Sequence, residues 1–308
     1  MVATAPLLAL VGPTASGKTE AAVEVAEVLG AEICSVDSML VYRGMDVGTA
    51  KPTPEQRARA PHHLLDLAEP SERFTVARFQ SLARRAIEGI HARGARPLLV
   101  GGSGLYYRAL VDDLLFPGED PKVRAELEEE ALAAGIDTLY RRLELLDPVA
   151  AGRIEPGNVR RVVRALEVPA ITGRPFTAFA ASWERHDPSR VRAAGIRIDR
   201  DVLGRRIAER VSAMFAAGWL EEVRTLLERG SGPWLTSSQA IGYSELVRHL
   251  EGRLSLEEAW EGTVRRTKNL ARRQMAWFRR DPRVRWFDAG EGGAAEVVED
   301  AIAYLGAP

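Results

Sequence analysis

The chain has little cysteine, few aromatics and almost no net charge. Its one cysteine among 308 residues, Cys34, excludes a disulfide framework and a cysteine-built zinc site. Cys34 lies in the apolar run Ile33-Cys34-Ser35-Val36, where a small buried hydrophobe is the expected role. No stretch approaches the length of a membrane span, and the first ten residues lack the basic flank and cleavage site of a signal peptide. A cytoplasmic location is the resulting expectation. A formal charge of -1 excludes a uniformly basic nucleic-acid binder but not a basic face. What the chain does have is a globular composition, 46% hydrophobic and 28% charged, enough for a core domain carrying an insert.

Short apolar runs at residues 7–11, 32–36 and 97–100 alternate with helical patterns at 21–29 and 76–92. Such alternation predicts an α/β fold with a parallel sheet flanked by helices. From Pro121 to about Arg174 only charged amphipathic helices follow, at 122–134, 137–146 and from Asn158 onward. They read as an all-helical insertion. Pro169 is expected to kink or stop the third of these near Val168. The sheet is expected to resume at 192–198, followed by helices at 201–217, 221–229 and 256–280, a short strand at 285–287 and a terminal helix at 294–305. The expected division is a core of residues 1–117 and 191–308 around an insert of 118–190.

Gly12-Pro13-Thr14-Ala15-Ser16-Gly17-Lys18-Thr19 fits the P-loop pattern in full, between a predicted strand and a predicted helix. Its glycines let backbone N–H groups turn inward, and the helix N-terminus adds partial positive charge, so a di- or triphosphate can be cradled. Lys18 would reach the terminal phosphates and Thr19 would offer a hydroxyl to a magnesium ion. Asp37, after the second strand, belongs to the sheet edge where open α/β folds bind ligands. It could serve as a base or as a metal ligand. Gly101-Gly102-Ser103-Gly104 opens a second glycine loop at the same edge. His62-His63 reads as a loop. Between residues 264 and 285, nine arginines and lysines stand against Asp281 alone, with Gln274, Trp277 and Phe278 interleaved. That mixture suits phosphate contacts and base stacking on single-stranded RNA, or else a solvated helix face. A second basic cluster is Arg160-Arg161-Arg164.

With these blocks in order, the chain resembles the bacterial tRNA dimethylallyltransferase family, also called tRNA isopentenyltransferases. Residues 12–19, 35–38, 44–52, 61–66, 101–106, 164–167, 241–243 and 272–278 carry the resemblance over nearly the whole length. It implies a P-loop NTPase-like core, dimethylallyl diphosphate as donor, Mg2+ as cofactor and a tRNA anticodon stem-loop as partner, with the chain acting as a monomer. The acceptor would be the adenosine 3′ of the anticodon in tRNAs reading U-initial codons. Asp37 matches the family's general base, Ser103 and Arg124 match positions at the reacting centre and tRNA, and Arg206 matches an arginine that grips diphosphate. Ser103 stands where most members carry threonine, which keeps the hydroxyl. For tRNA the resemblance implies Asp37, Ser38, Met39 and Leu40; Asn158, Val159, Arg160, Arg161 and Val162; Gln239, Ala240, Ile241, Gly242, Tyr243 and Ser244; and Arg273, Gln274, Trp277 and Arg280. Two rival enzymes share the cradle: a small-molecule kinase, and a prenyltransferase acting on free AMP. A third rival is a nucleic-acid-binding protein with a vestigial P-loop, to which the intact Lys18, Thr19 and Asp37 are opposed.

Overall fold

The computed structural model describes residues 6–179, 185–229 and 240–307. Six strands form one parallel sheet in the order β3-β2-β4-β1-β5-β6. They are β1 (Leu7–Val11), β2 (Ala31–Ser35), β3 (His62–His63), β4 (Arg96–Gly101), β5 (Val191–Ile198) and β6 (Val284–Ala289). Strand β1 is central, with Leu8 paired to Leu98 on one side and to Arg192 on the other. From β1 the chain runs out to β2 and β3, returns to β4 and later crosses to β5 on the far side of β1, and at that reversal a crevice opens beyond the carboxyl ends of the strands. The P-loop starts at that crevice.

Strands buried on both faces need apolar residues without alternation, and β1 supplies them: Leu8, Ala9, Leu10 and Val11 are all buried. One apolar layer unites Val11, Cys34, Leu99 and Tyr107 with Trp219 and Phe278. The other unites Leu10, Val23, Ile33 and Leu98 with Ile196, Ile207 and Leu305. The helices supplying these layers are α1 (Lys18–Leu29), α2 (Pro54–Arg59), α3 (Val76–Ala92) and α4 (Gly104–Val111) before the insertion. After it come α9 (Arg200–Ala216), α10 (Trp219–Glu228), α11 (Tyr243–Leu250), α12 (Leu256–Phe278) and α13 (Val298–Gly306). The pair His62-His63, expected in a loop, instead forms the two-residue edge strand β3, with Ile33 and Cys34 as partners. An imidazole pair has no strand signature; pairing to the buried β2 makes it one.

The chain divides into two compact units, one of residues 1–111 with 186–308 and the other of residues 112–185. The second contains α5 (Pro121–Ala134), α6 (Ile136–Leu146), α7 (Pro148–Ala151) and α8 (Val159–Thr172), around a core of Leu127, Leu139, Leu143, Val162 and Leu166. The expected break near Val168 does not occur, because α8 runs through Pro169 to Thr172. Proline removes one backbone donor, and here the helix ends within a turn, so one missing bond is offset by burial of Val162, Val163, Ala165, Leu166 and Val168. Thr172 donates its hydroxyl to the Val168 carbonyl and the Gly173 N–H to that of Pro169, which ties off the last turn. Among the described residues no helix is long and apolar enough to cross a membrane.

Candidate active site

Residues 12–17 turn sharply between β1 and α1. Ala15 (φ 62°) and Gly17 (φ 85°) both lie in the left-handed region, which glycine enters freely and alanine only when held. The restraints are visible. Arg206 Nε donates to the Ala15 carbonyl at 2.9 Å, Lys18 Nζ to the Pro13 carbonyl at 2.8 Å and the Ala294 N–H to the Ser16 carbonyl at 2.8 Å. With carbonyls engaged from outside, the first N–H groups of α1, which have no intrahelical acceptor, are available to an anion. No side chain caps α1 at Gly17. The Ser16 and Ser35 hydroxyls are buried and without a hydrogen-bond partner among the described residues.

Burial pushes the Lys18 ammonium down to about 7, nearby Arg210 pushes the same way, and Asp37 opposes both. These three groups mark the polar floor of the crevice. Asp37 follows β2 and its Oδ1 accepts from the Met39 N–H at 2.8 Å, a local turn that fixes the carboxylate. Arg210 lies one turn beyond Arg206 on α9, so both point to the P-loop side. Arg206 is occupied behind the loop, by Ala15 and by the Glu291 carbonyl. Arg210 faces two cavities, one of 480 Å³ and one of 70 Å³. Arg210 thus faces the cavities beside Asp37, while Arg206 braces the loop.

The smaller cavity is lined by Lys18, Thr19, Ser35, Asp37 and Leu40. The larger one holds Thr14, Asp37, Ser38, Met39 and Ser103, together with Ala240, Ile241, Arg273, Gln274 and Trp277. Five stretches separated in sequence therefore meet. Ser103 precedes α4, its hydroxyl accepting the Tyr106 N–H at 3.4 Å while its own N–H reaches the Val36 carbonyl. The glycines around it are explained by α12: a Cβ at Gly102 would lie 2.2 Å from Gln274 Nε2, and one at Gly104 2.8 Å from Trp277 Cβ. Only glycine lets the helix approach that closely.

Several residues expected at RNA have other work. Gln274 is buried, and its Oε1 accepts the Thr14 N–H at 2.8 Å, so it ties α12 to the P-loop. Tyr243 is fully buried and donates to Glu222 at 2.7 Å, while Gly242 packs on Trp219. Ser244 holds Glu245 and Arg266. Val162 is wholly buried in the helical unit, whereas Val159, Arg160 and Arg161 are exposed and Asn158 caps α8 through the Arg161 N–H at 3.2 Å. Arg124, in that same unit, pairs with Glu167 at 2.5 Å; burial raises the Glu167 carboxyl, but hydrogen bonds from Arg124 and Arg164 hold it below its usual range. Arg280 is exposed and outside the cavity lining, and Gln239 lies outside the described residues. Besides Arg210, sequence reasoning missed Glu222, which accepts the N–H groups of Asp46, Val47 and Gly48 and so shapes the loop leading to Thr49 at the cavity. The i, i+4 spacing of Arg206 and Arg210 was the available signal for the first; nothing local announces the second.

A phosphate cradle at the switch point of a parallel sheet, with an aspartate and two cations facing one crevice, defines an α/β enzyme acting on a phosphorylated substrate. Comparison narrows this. The IPP transferase family model matches residues 40–281 and the isopentenyl transferase model residues 5–66. The tRNA dimethylallyltransferase of Desulforudis audaxviator is 46% identical over 97% of this chain and 98% of its own, and that of a Nocardioides species 50% identical over 97% and 96%. Among solved structures, the tRNA isopentenylpyrophosphate transferase of Bacillus halodurans superposes with a TM-score of 0.71 at 41% identity, covering 98% of this chain and 96% of that one. A eukaryotic dimethylallyltransferase acting on tRNA superposes at 0.80 with 26% identity, over 97% and 78%. The chain belongs to the tRNA dimethylallyltransferase family, and is a prenyltransferase with a P-loop-type core.

Proposed function

We propose that this enzyme transfers the dimethylallyl group of dimethylallyl diphosphate to N6 of the adenosine 3′ of the anticodon, in tRNAs reading U-initial codons. The observation that carries the reading is the convergence of Asp37, Ser103, Lys18 and Arg210 on one crevice whose outer wall bears Arg273 and Trp277. Donor diphosphate enters the cradle of residues 12–19, with Lys18 and Arg210 opposite its charge. The N6 amine attacks the allylic carbon; the new C–N bond forms as the C–O bond to diphosphate breaks. Asp37 accepts the proton that N6 loses, its Oδ1 kept in place by the Met39 N–H. Ser103 offers a hydroxyl at the acceptor side of the same cavity. An aromatic amine is a weak nucleophile, so holding it in line supplies much of the acceleration. Reaching it requires the base to leave its stack, and Trp277, 42% exposed, offers a stacking face.

The family's chemistry implies a divalent cation. Among the described residues no three His, Cys, Asp or Glu side chains cluster to hold one, so it would arrive with the diphosphate. The Thr19 hydroxyl and the Ser35 hydroxyl, which has no partner among the described residues, line one small cavity beside the Asp37 base, hard-oxygen groups that fit Mg2+ completed by phosphate oxygens. Bound there, Mg2+ would neutralise charge on the departing diphosphate.

The test is to incubate protein and Mg2+ with labelled dimethylallyl diphosphate beside unmodified tRNA, AMP and ATP in separate tubes. Label in tRNA alone is expected, with a fall of about 10²–10⁴ in turnover for Asp37→Ala. Label in AMP instead would make the enzyme a free-nucleotide prenyltransferase. The chain acting as a monomer in the cytoplasm belongs to the same proposal, checked by light scattering and by fractionation.

A further inference from the structure

Helix α12 has a second basic face on which the prenyl transfer makes no demand. Thr263, Arg266, Leu270, Arg273, Gln274 and Trp277 line the 480 Å³ cavity. Arg265, Lys268, Arg272, Met275 and Arg279 line a groove of 1540 Å³. At 3.6 residues per turn the two sets are centred about 180° apart on the helix. The opposite wall of the groove comes from the first turns of α9 and from β6.

Charges in the groove are unevenly compensated. Arg197 pairs with Asp288 and Arg205 with Glu291, while Asp199 is spent capping α9 through the Asp201 and Val202 N–H groups. Arg200, Arg265, Lys268 and Arg272 are exposed and, among the described residues, none is in an ion pair with a carboxylate; Arg272 contacts only the Asn269 carboxamide. Against these four stand Asp201 and Glu261. Residues 265, 268 and 272 span about 10 Å of helix axis and form a row of positive charge along the groove.

We propose that the groove between α9 and α12 docks the phosphodiester backbone of the same tRNA, outside the loop that carries the target adenosine. The inference rests on tRNA being the acceptor. A row of long, exposed cations in an open trough lacks the convergent donors that would cage a single phosphate, and suits a polyanion with evenly spaced charge. Ile207 and Asn269 line both this groove and the cavity that carries Arg273 and Trp277, so the two are neighbours and one RNA can engage both.

The test compares the unaltered protein, without prenyl donor, with the same protein carrying Arg265→Gln, Lys268→Gln and Arg272→Gln, with fluorescence anisotropy as readout. Two probes are used, a full-length unmodified tRNA and its excised anticodon stem-loop, each over a series of salt concentrations. The triple change is expected to weaken full-length tRNA about tenfold or more, to flatten the slope of log affinity against log salt by two to three, and to leave the stem-loop within about twofold. Equal affinity for full-length tRNA before and after the change overturns the proposal. So does an equal loss for both probes, which would place the contacts in the anticodon arm. A thermal melt of each variant separates loss of binding from loss of fold. If the unaltered protein binds neither RNA, the acceptor assignment itself falls; if it binds tRNA and the triple change does nothing, only the groove does.

Discussion

The chain places two glycine-rich loops at one sheet edge, and they need glycine for opposite reasons. In the first, Gly17 supplies a left-handed turn, and the backbone so bent is the binding surface. In the second, Gly102 and Gly104 supply absence of bulk, and what comes close is another part of the protein, Gln274 and Trp277 of α12. One loop makes a site by its conformation and the other by what it admits. Sequence pattern reads the first as a phosphate cradle and the second only as a glycine loop.

Substitutions can break this comparison. Lys18→Ala, which removes the first loop's cation and one of its three restraints, is expected to lower kcat/KM by about 10²–10³ with only a small change in melting temperature. Gly104→Val should do the reverse: it drives a branched side chain into Trp277, costs about 2–3 kcal/mol of stability, and is read in a thermal melt before any kinetic assay. Gln274→Leu tests the link between the loops, since it keeps packing volume but strands the Thr14 N–H. A loss of about 1–3 kcal/mol is expected, with a raised donor KM, partly restored by Gln274→Glu. The smallest effect concerns protons. Because Lys18 sits at about 7 rather than near 10, diphosphate binding, which favours its charged form, should take up a proton above that pH. Calorimetry at pH 8 in two buffers of different ionisation enthalpy should show up to one proton absorbed, and affinity should fall by as much as about tenfold per pH unit above 7. No proton uptake would mean that the ammonium is already charged.

The same contrast explains what could be read in advance. The strand, loop and helix around Gly12–Thr19 are contiguous, so motif and periodicity sufficed, and Asp37 and Ser103 followed from their places after strands. Arg210 did not, because choosing it over Arg206 requires knowing how α9 is rotated against the P-loop, and both lie on the same face. Gln274 was read as RNA-facing from its basic neighbours; its burial depends on the close approach of α12 to Gly102. The persistence of α8 through Pro169 and the pairing of His62-His63 are likewise tertiary outcomes, set by neighbours that local propensity does not see.

The bond from Thr14 to Gln274 joins positions 260 residues apart. During synthesis the P-loop leaves the ribosome near the start, yet its brace Arg206, its partner Ala294 and its tether Gln274 are all made in the last third of the chain. The central strand β1 also waits for β5 before its second side is covered. A nascent or truncated chain therefore carries the whole phosphate-binding sequence without the shape that makes it bind. Affinity for the donor becomes a property of the finished protein, gained late with the closing of long-range contacts.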